Sequence, residues 1–177
     1  VYKRQLLRHT TEELRELVFK SQELYPKIWP GIKWSERKMQ WTAPSGARLW
    51  MSYLDRDDDV LRYQGLAFSW IGFDELTQWA TPYAWNYMRS RLRSTAADLP
   101  IYMRATTNPG GRGHHWVKKM FIDPAPYNRA YDATDIETGE VLRYPAGHAK
   151  AGRPLYKRRF IPARLSDNPY LAESGDY

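Results

Sequence analysis

The sequence predicts an α/β fold with a mostly parallel central sheet and added β-hairpins. The first observation is the apolar run from Leu66 to Phe73, which is typical of a strand buried on both faces of a parallel sheet. The second is a further apolar strand, Pro100 to Ala105, that follows an amphipathic helix. Strand, helix and strand form a βαβ unit, whose right-handed crossover brings both strand ends to one edge of the sheet.

The composition indicates a globular chain. Its 177 residues are enough to bury roughly 70% of the unfolded surface. Eight Trp, 13 Tyr and 5 Phe argue against disorder, and no apolar run reaches the ~20 residues of a membrane span. The absence of cysteine excludes disulfides and thiolate zinc sites. The net charge of +7 favours a polyanionic partner without identifying it, and the basic runs fit a solvated surface equally well.

The first five residues differ in origin from the rest. Val1 to Gln5 is the translation of GTG TAT AAG AGA CAG, which resembles the end of a transposase-derived sequencing adaptor. We therefore expect residues 1–5 to be an artefact and the native protein to extend upstream of Leu6. Without Lys3 and Arg4 the net charge falls from +7 to +5, so the basic bias remains.

A helix is predicted near the N-terminus. Thr10 and Glu13 have the spacing of a capping box, and apolar residues then recur at helical intervals. We expect the helix to run from Thr11 to Tyr25, because Pro26 should end it.

Strands are predicted on both sides of this helix. Leu6 and Leu7 fit the end of a preceding strand, with Arg8 just beyond its edge. After the helix, Lys38 to Thr42 and Arg48 to Leu54 are joined by a loop that contains glycine. The pattern predicts a β-hairpin.

Four acidic residues fall within the segment Asp55 to Asp59. Such a run could be mistaken for a metal cluster, but consecutive carboxylates in a loop more often stay solvated or cap the next helix. We expect one of these two roles here, before a short helix from Val60 to Tyr63.

A longer helix is predicted after the apolar central run. Thr81 and Pro82 supply an N-cap and a proline in the first turn, and Tyr83 to Arg93 continues with helical periodicity. The expected core contacts of this helix are Tyr83, Tyr87, Met88 and Leu92. Its other face carries Arg89, Arg91 and Arg93, which fit either a phosphate contact or a solvated face.

The C-terminal third is less informative. His114 and His115 are adjacent and so unsuited to share one metal ion, and we expect ordinary loop histidines. A hairpin is predicted within 131–144, a strand at 159–164 and the start of a helix at 166–169.

Two acids, Asp74 and Glu75, follow the central apolar run directly. Just past the end of a strand both can face one ligand, one carboxylate holding Mg²⁺ through water and the other activating a water molecule. The alternative is that Asp74 caps a helix beginning near Leu76. The hydroxyl and amide residues of the Thr106 to Gly111 loop follow the next parallel strand and should lie at the same edge, which favours the catalytic interpretation.

Six blocks of this chain resemble the large terminase subunit of tailed bacteriophages, the ATPase that drives DNA into empty capsids. The blocks read RHTTEELRELVFKSQELY, PSGARLWMSYLD, RYQGLAFSWIGFDELTQW, RSRLR, TTNPGGRGHHWVKKMFID and RFIPARLSDNPYL. The resemblance implies an incomplete P-loop NTPase fold, RecA-like and of the catalytic-glutamate class, with ATP and Mg²⁺ as cofactors. It further implies that Asp74 is the Mg²⁺-associated aspartate and Glu75 the water-activating glutamate, and that Thr106, Thr107 and Asn108 form the coupling motif.

Some family features are missing. No GxxxxGK(S/T) phosphate-binding loop occurs in the sequence, and neither does the nuclease domain typical of the family. The resemblance therefore implies a partial ATPase domain over 6–165 and the start of a linker over 166–177, and we expect this chain alone not to hydrolyse ATP. Arg62 is the nearest candidate for the family's arginine finger.

The expected function is coupling of ATP hydrolysis to DNA translocation into a procapsid. The resemblance implies double-stranded DNA, the portal protein, the small terminase subunit and further copies of the chain in a ring as partners, without a membrane. It places this work at the procapsid portal in the host bacterial cytoplasm. The alternatives are a metal-dependent nuclease that uses Asp74, Glu75 and one acid of Asp55–Asp59, a helicase-like translocase, and a non-catalytic basic DNA-binding module.

Overall fold

The computed structural model describes residues 2–94, 99–164 and 167. The chain forms two compact units, Val1–His114 and His115–Tyr177. In the described part of the chain, no helix is both long and apolar enough to cross a membrane.

The first unit is built on a six-stranded sheet. Its strands are β1 (Lys3–Arg8), β2 (Lys33–Ser35), β3 (Gln40–Thr42), β4 (Arg48–Tyr53), β5 (Trp70–Phe73) and β6 (Tyr102–Ala105). The strand order is β2-β3-β4-β1-β5-β6. β1 pairs with β4 and β5 in parallel, β5 pairs with β6 in parallel, and β2 and β3 add an antiparallel edge. The predicted α/β fold with a mostly parallel sheet and a β3–β4 hairpin is therefore confirmed.

Helix α1 (Thr11–Ile28) begins with the predicted capping box. The Glu13 amide donates to Thr10 Oγ1 at 3.3 Å, and the Thr10 amide donates to Glu13 Oε2 at 3.2 Å. The prediction that Pro26 ends the helix is wrong, because the helix continues to Ile28. Loss of one backbone donor is tolerated there, since the Trp29 amide still closes the last turn on the Tyr25 carbonyl at 2.8 Å.

One face of the sheet packs on α1 through a small apolar core. Its buried members are Leu14, Val18, Trp41 and Met51. Ser21 is also buried, and its hydroxyl donates to the Val18 carbonyl at 2.7 Å and accepts from Trp41 Nε1 at 2.9 Å. A polar group inside this core thus keeps its hydrogen bonds.

The opposite face packs on a 3₁₀ segment, Asp57–Tyr63, and on helix α2 (Tyr83–Arg89). The buried residues of α2 are Ala84, Trp85 and Met88, whereas Tyr83, expected in the core, is 47% exposed. The helix also ends four residues earlier than predicted. The helix ends early because Leu92 forms a β-bridge with Phe68. In this bridge the Phe68 amide donates to the Arg91 carbonyl at 2.9 Å.

Several strand boundaries differ from the predictions. β5 starts at Trp70 rather than Leu66, because Phe68 pairs outside the sheet. β3 starts at Gln40, because Met39 adopts a left-handed conformation with φ of 45°. β6 starts at Tyr102 and lies at the edge of the sheet, where three of its four residues are exposed. β1 includes Arg8, which was expected beyond the strand. It also includes Lys3, Arg4 and Gln5, three of the first five residues.

The second unit contains short elements. Helical residues His114–Val117 lead into the π-helical segment Lys118–Ile122, and β7 (Tyr131–Asp132) pairs antiparallel with β8 (Lys157–Arg158). The predicted hairpin corresponds to a turn closed by a bridge between Thr134 and Val141. The strand predicted at 159–164 is wrong, since β8 ends at Arg158, whose buried side chain donates to the Thr134 carbonyl. The helix predicted at 166–169 lies outside the described residues, apart from Asp167.

Candidate functional site

The ends of three neighbouring parallel strands meet at one edge of the sheet. β5 is followed by Asp74 and β6 by Thr106, and the last residues of the two strands are paired. The backbone pairing continues past the strands, because the Thr106 amide donates to the Phe73 carbonyl at 3.0 Å and the Leu76 amide donates to the Thr106 carbonyl at 2.9 Å. The acidic and hydroxyl-rich tips thus lie side by side, as a βαβ unit requires.

Asp74 is held by contacts from both neighbouring strands. Its Oδ2 lies 2.7 Å from Arg8 Nε at the end of β1, and its Oδ1 accepts a hydrogen bond from the Thr106 hydroxyl. The Arg8 Nε–H is not directed at an acceptor, so the contact is an ion pair rather than an aligned hydrogen bond. Both side chains are largely buried, with 14% of Arg8 and 21% of Asp74 exposed, so solvent screens the pair only in part.

Glu75 has a left-handed backbone with φ of 58° and ψ of 56°. A residue other than glycine adopts this conformation at a cost of about 1 kcal/mol, and such strain is concentrated at functional sites. The turn places the Glu75 amide 3.4 Å from Thr106 Oγ1 and lets Asn108 Nδ2 donate to Glu75 Oε1 at 3.2 Å.

The helix-cap alternative for Asp74 is wrong. The 3₁₀ turn Leu76–Gln78 follows Glu75 as its capping residue, and no side chain caps it. Asp74 instead bonds through its amide to the Leu7 carbonyl at 2.9 Å and through its carboxylate to Arg8 and Thr106.

A second layer of contacts supports the Thr106 to Gly111 loop. Thr107 Oγ1 lies 2.8 Å from Thr77 Oγ1 and accepts from the Thr77 amide at 3.1 Å. The Thr77 hydroxyl also lies 3.3 Å from the Asn108 carbonyl oxygen. Gly111 passes so close that a Cβ atom there would lie 2.8 Å from the Thr77 carbonyl oxygen, and its φ of +77° also favours glycine.

Sequence reasoning missed Arg8 and Thr77. Arg8 was placed just beyond a strand without a role, and its position beside Asp74 depends on β1 lying next to β5 in the sheet. Thr77 gave no signal, because it is a single hydroxyl residue after the acidic pair. Only the strand order, which the sequence does not state, would have identified them.

The contacts of Arg62 with described residues lie apart from this cluster, whereas His114 contacts its loop. Arg62 donates to the Tyr53 carbonyl at 2.8 Å and lies 3.6 Å from the Asp59 carboxylate. His114 begins the helical segment His114–Val117 rather than lying in a loop, and its Nδ1 accepts from the Gly110 amide at 3.0 Å.

The acidic run before the 3₁₀ segment has a structural role. Asp59 Oδ2 accepts the amides of Asp55 and Arg56 at 3.0 and 3.1 Å, and Asp57 accepts the Thr81 hydroxyl at 2.8 Å. Among the described residues, no group of three or more His, Cys, Asp or Glu side chains could hold a metal ion. The convergence of acids that a nuclease needs is therefore not found there.

The donor atoms at the strand ends suit a hard cation held mainly through its waters. Asp74 supplies a carboxylate and Thr106 a hydroxyl oxygen, and Mg²⁺ prefers oxygen ligands while keeping several waters. One carboxylate is too few to strip the ion of water, so contact through water fits this site best.

The chain has structural relatives of low sequence identity. No protein-family model and no curated protein matches it. Five chains of solved structures match. One is the large terminase from a thermophilic bacteriophage in complex with ADP, with 18% identity and a TM-score of 0.46 over 66% of this chain and 29% of that one. Another crystal form of the same protein gives 18% identity and a TM-score of 0.45 over 65% of this chain and 28% of that one. This chain thus spans less than a third of these relatives.

Proposed function

We propose that this chain is the central part of a viral DNA-packaging motor ATPase. The contact that carries the proposal joins Asn108 Nδ2 to Glu75 Oε1 at 3.2 Å. It links an acid that follows one buried parallel strand to an amide that follows the next strand. Carboxyl ends of parallel strands are where α/β folds bind ligands, and an acid bonded to a neighbouring polar loop can pass on the presence of a ligand.

The two acids take different roles in this proposal. Asp74, fixed by Arg8 and Thr106, would bind Mg²⁺ through water. When bound, the Mg²⁺ ion neutralises charge on the phosphates of ATP. Glu75 would orient the attacking water and accept its proton, because its second carboxylate oxygen is left for a ligand when Asn108 holds Oε1.

The loop after β6 would couple hydrolysis to movement on DNA. Thr106 contacts both acids, and Thr107 is tied to Thr77. A change at the γ-phosphate that moved Glu75 would therefore also act on Asn108. Thr106, Thr107 and Asn108 form the coupling motif in our proposal.

The wider assignments are also part of the proposal. Residues 6–165 would form part of an ATPase domain and 166–177 the start of a linker, with residues 1–5 derived from an adaptor. The complete protein would act at the procapsid portal in the bacterial cytoplasm. Its partners would be double-stranded DNA, the portal protein, the small terminase subunit and further copies in a ring, and Arg62 stays the candidate arginine finger.

The decisive experiment uses a longer protein that includes an upstream phosphate-binding loop. Removal of a general base lowers rates typically 10²- to 10⁴-fold, so Glu75→Gln should reduce ATP turnover by this factor and leave nucleotide binding intact. The exposed Glu12→Gln on α1 is the matched control and should retain full turnover. Hydrolysis by Glu75→Gln at the wild-type rate would refute the role of Glu75.

A further inference from the structure

The first unit contains a cavity of about 510 Å³ beside the outer edge of β4. β3 pairs with β4 only as far as Trp50, and the cavity lies next to the following residues, Ser52 and Tyr53. Asp74, Glu75 and the Thr106 to Asn108 loop do not line it. The cavity is therefore distinct from the candidate hydrolysis site.

The charged side chains that line the cavity are all basic. They include Arg37, Lys38 and Arg62, and no acid among the described residues lines it. Arg62 is partly neutralised by Asp59 at 3.6 Å. Arg37 and Lys38 form no ion pair with any described residue. The acid beside them, Glu36, accepts a hydrogen bond from Trp34 Nε1 at 2.5 Å. Lys3 and Gln5 also line the cavity, but they carry no part of the proposal because we expect residues 1–5 to come from an adaptor.

Aromatic side chains form one wall of the cavity. The rings of Trp50 and Tyr63 both contact Phe68 edge to face, with centroid distances of 6.2 and 6.0 Å. Phe68 and Tyr63 are buried, while Trp50 is only partly so. Tyr53 lies on the other face of β4 with the α1 core, and its ring centroid is 5.6 Å from the Arg62 guanidinium carbon. Burial raises the pKa of Tyr63, so this wall stays neutral at physiological pH. The wall is thus buried at its base, and Trp50 offers a partly exposed ring for stacking.

We propose that this cavity binds a nucleoside phosphate, with the base against Trp50 and the phosphate against Arg37 and Lys38. The volume lies within the roughly 300–1,000 Å³ typical of small-molecule sites. Unpaired basic groups favour an anion, and an aromatic rim favours a flat ring. A DNA duplex keeps its bases stacked inside and would leave the aromatic wall without a partner.

The test is calorimetric titration of AMP into this chain in the presence of EDTA, which removes Mg²⁺-dependent binding elsewhere. The double variant Arg37→Glu/Lys38→Glu should bind AMP at least about tenfold more weakly than the wild type. Arg15→Glu/Lys20→Glu makes the same charge change on the exposed face of α1 and should bind like the wild type.

Other outcomes would overturn the proposal. These are undetectable AMP binding, or equal loss of binding in both charge-reversal variants. Pyrophosphate binding as tightly as AMP would exclude a role for the base, and Trp50→Leu should weaken AMP but not pyrophosphate. Binding of a DNA duplex without binding of AMP would assign the basic residues to a DNA surface instead.

Discussion

The sequence predicted that Glu75 is an acid just past a strand, but it did not predict the backbone conformation of Glu75. The sequence indicated a pair of acids just past a strand, and Asp74 and Glu75 are found there. Nothing in the sequence indicated that Glu75 is left-handed, since Asn, Asp and Gly are the usual residues in that region. The conformation results from the pairing of the flanking segments with β6, which is a tertiary effect.

The strain at Glu75 can be measured by substitution. Glu75→Gly and Glu75→Ala both remove the hydrogen bond from Asn108, but only glycine also relieves the left-handed conformation. We expect the glycine variant to have the higher free energy of unfolding, by about 1 kcal/mol, in urea titrations. An alanine variant of equal or greater stability would mean that the backbone at Glu75 is unstrained.

Arg8 and Asp74 form the ion pair that most affects the site. Arg8→Met leaves a largely buried carboxylate without its cation, and we expect a loss of roughly 1–3 kcal/mol in the free energy of unfolding. Asp74→Asn keeps a group that can accept from Thr106, so it should be milder.

A double-mutant cycle on this pair separates the ion pair from the packing of each side chain. The double variant Arg8→Met/Asp74→Asn should be more stable than the sum of the single losses predicts, by at least about 0.5 kcal/mol. Strictly additive losses would show that the two charges do not interact.

At the scale of elements, local sequence patterns predicted which helices and strands form, whereas tertiary pairing determined where they begin and end. The capping box at Thr10 and the β3–β4 hairpin could be read from spacing alone. The end of α2 could not, because Phe68 pairs with Leu92 from a distant part of the chain. The place of Arg8 beside Asp74 likewise required the order of the strands, which spacing along the chain does not encode.

Helix α1 offers a test of an element that runs past its expected end. Pro26→Ala restores a backbone donor in the last turn and removes the proline ring. We expect the variant to be more stable by about 1–2 kcal/mol, less than the full proline penalty of about 3 kcal/mol because alanine also loosens the unfolded chain. Urea unfolding followed by helical circular dichroism measures this, and a loss of stability would show that Pro26 packs favourably.

At the scale of the whole molecule, three tyrosines link stability to alkaline pH. Burial raises the pKa of Tyr25, Tyr63 and Tyr131 above the ordinary value of 10.0. A raised pKa means that the folded state disfavours the charged form. The stabilising contribution is complete below pH 10 and is lost as the pH rises through the folded-state pKa.

Tyr63→Phe tests this pH dependence. The variant cannot ionise at that position, so its free energy of unfolding should fall less between pH 9 and pH 11 than that of the wild type. Tyr83→Phe removes an exposed hydroxyl and should follow the wild type. If Tyr63→Phe and the wild type lose stability equally, Tyr63 does not contribute to the alkaline dependence.

The position of β6 has a practical consequence for handling the protein. An edge strand presents unpaired backbone groups, and three of the four β6 residues are exposed. Arg104, which lies 5.3 Å from the Tyr102 ring centroid, is the one charged side chain of this strand. Because a single charge protects the edge only weakly against strand pairing, the β6 strands of two copies can pair with each other. Dilute samples at moderate salt should therefore give cleaner unfolding curves than concentrated ones, and turbidity that grows with concentration would originate at β6.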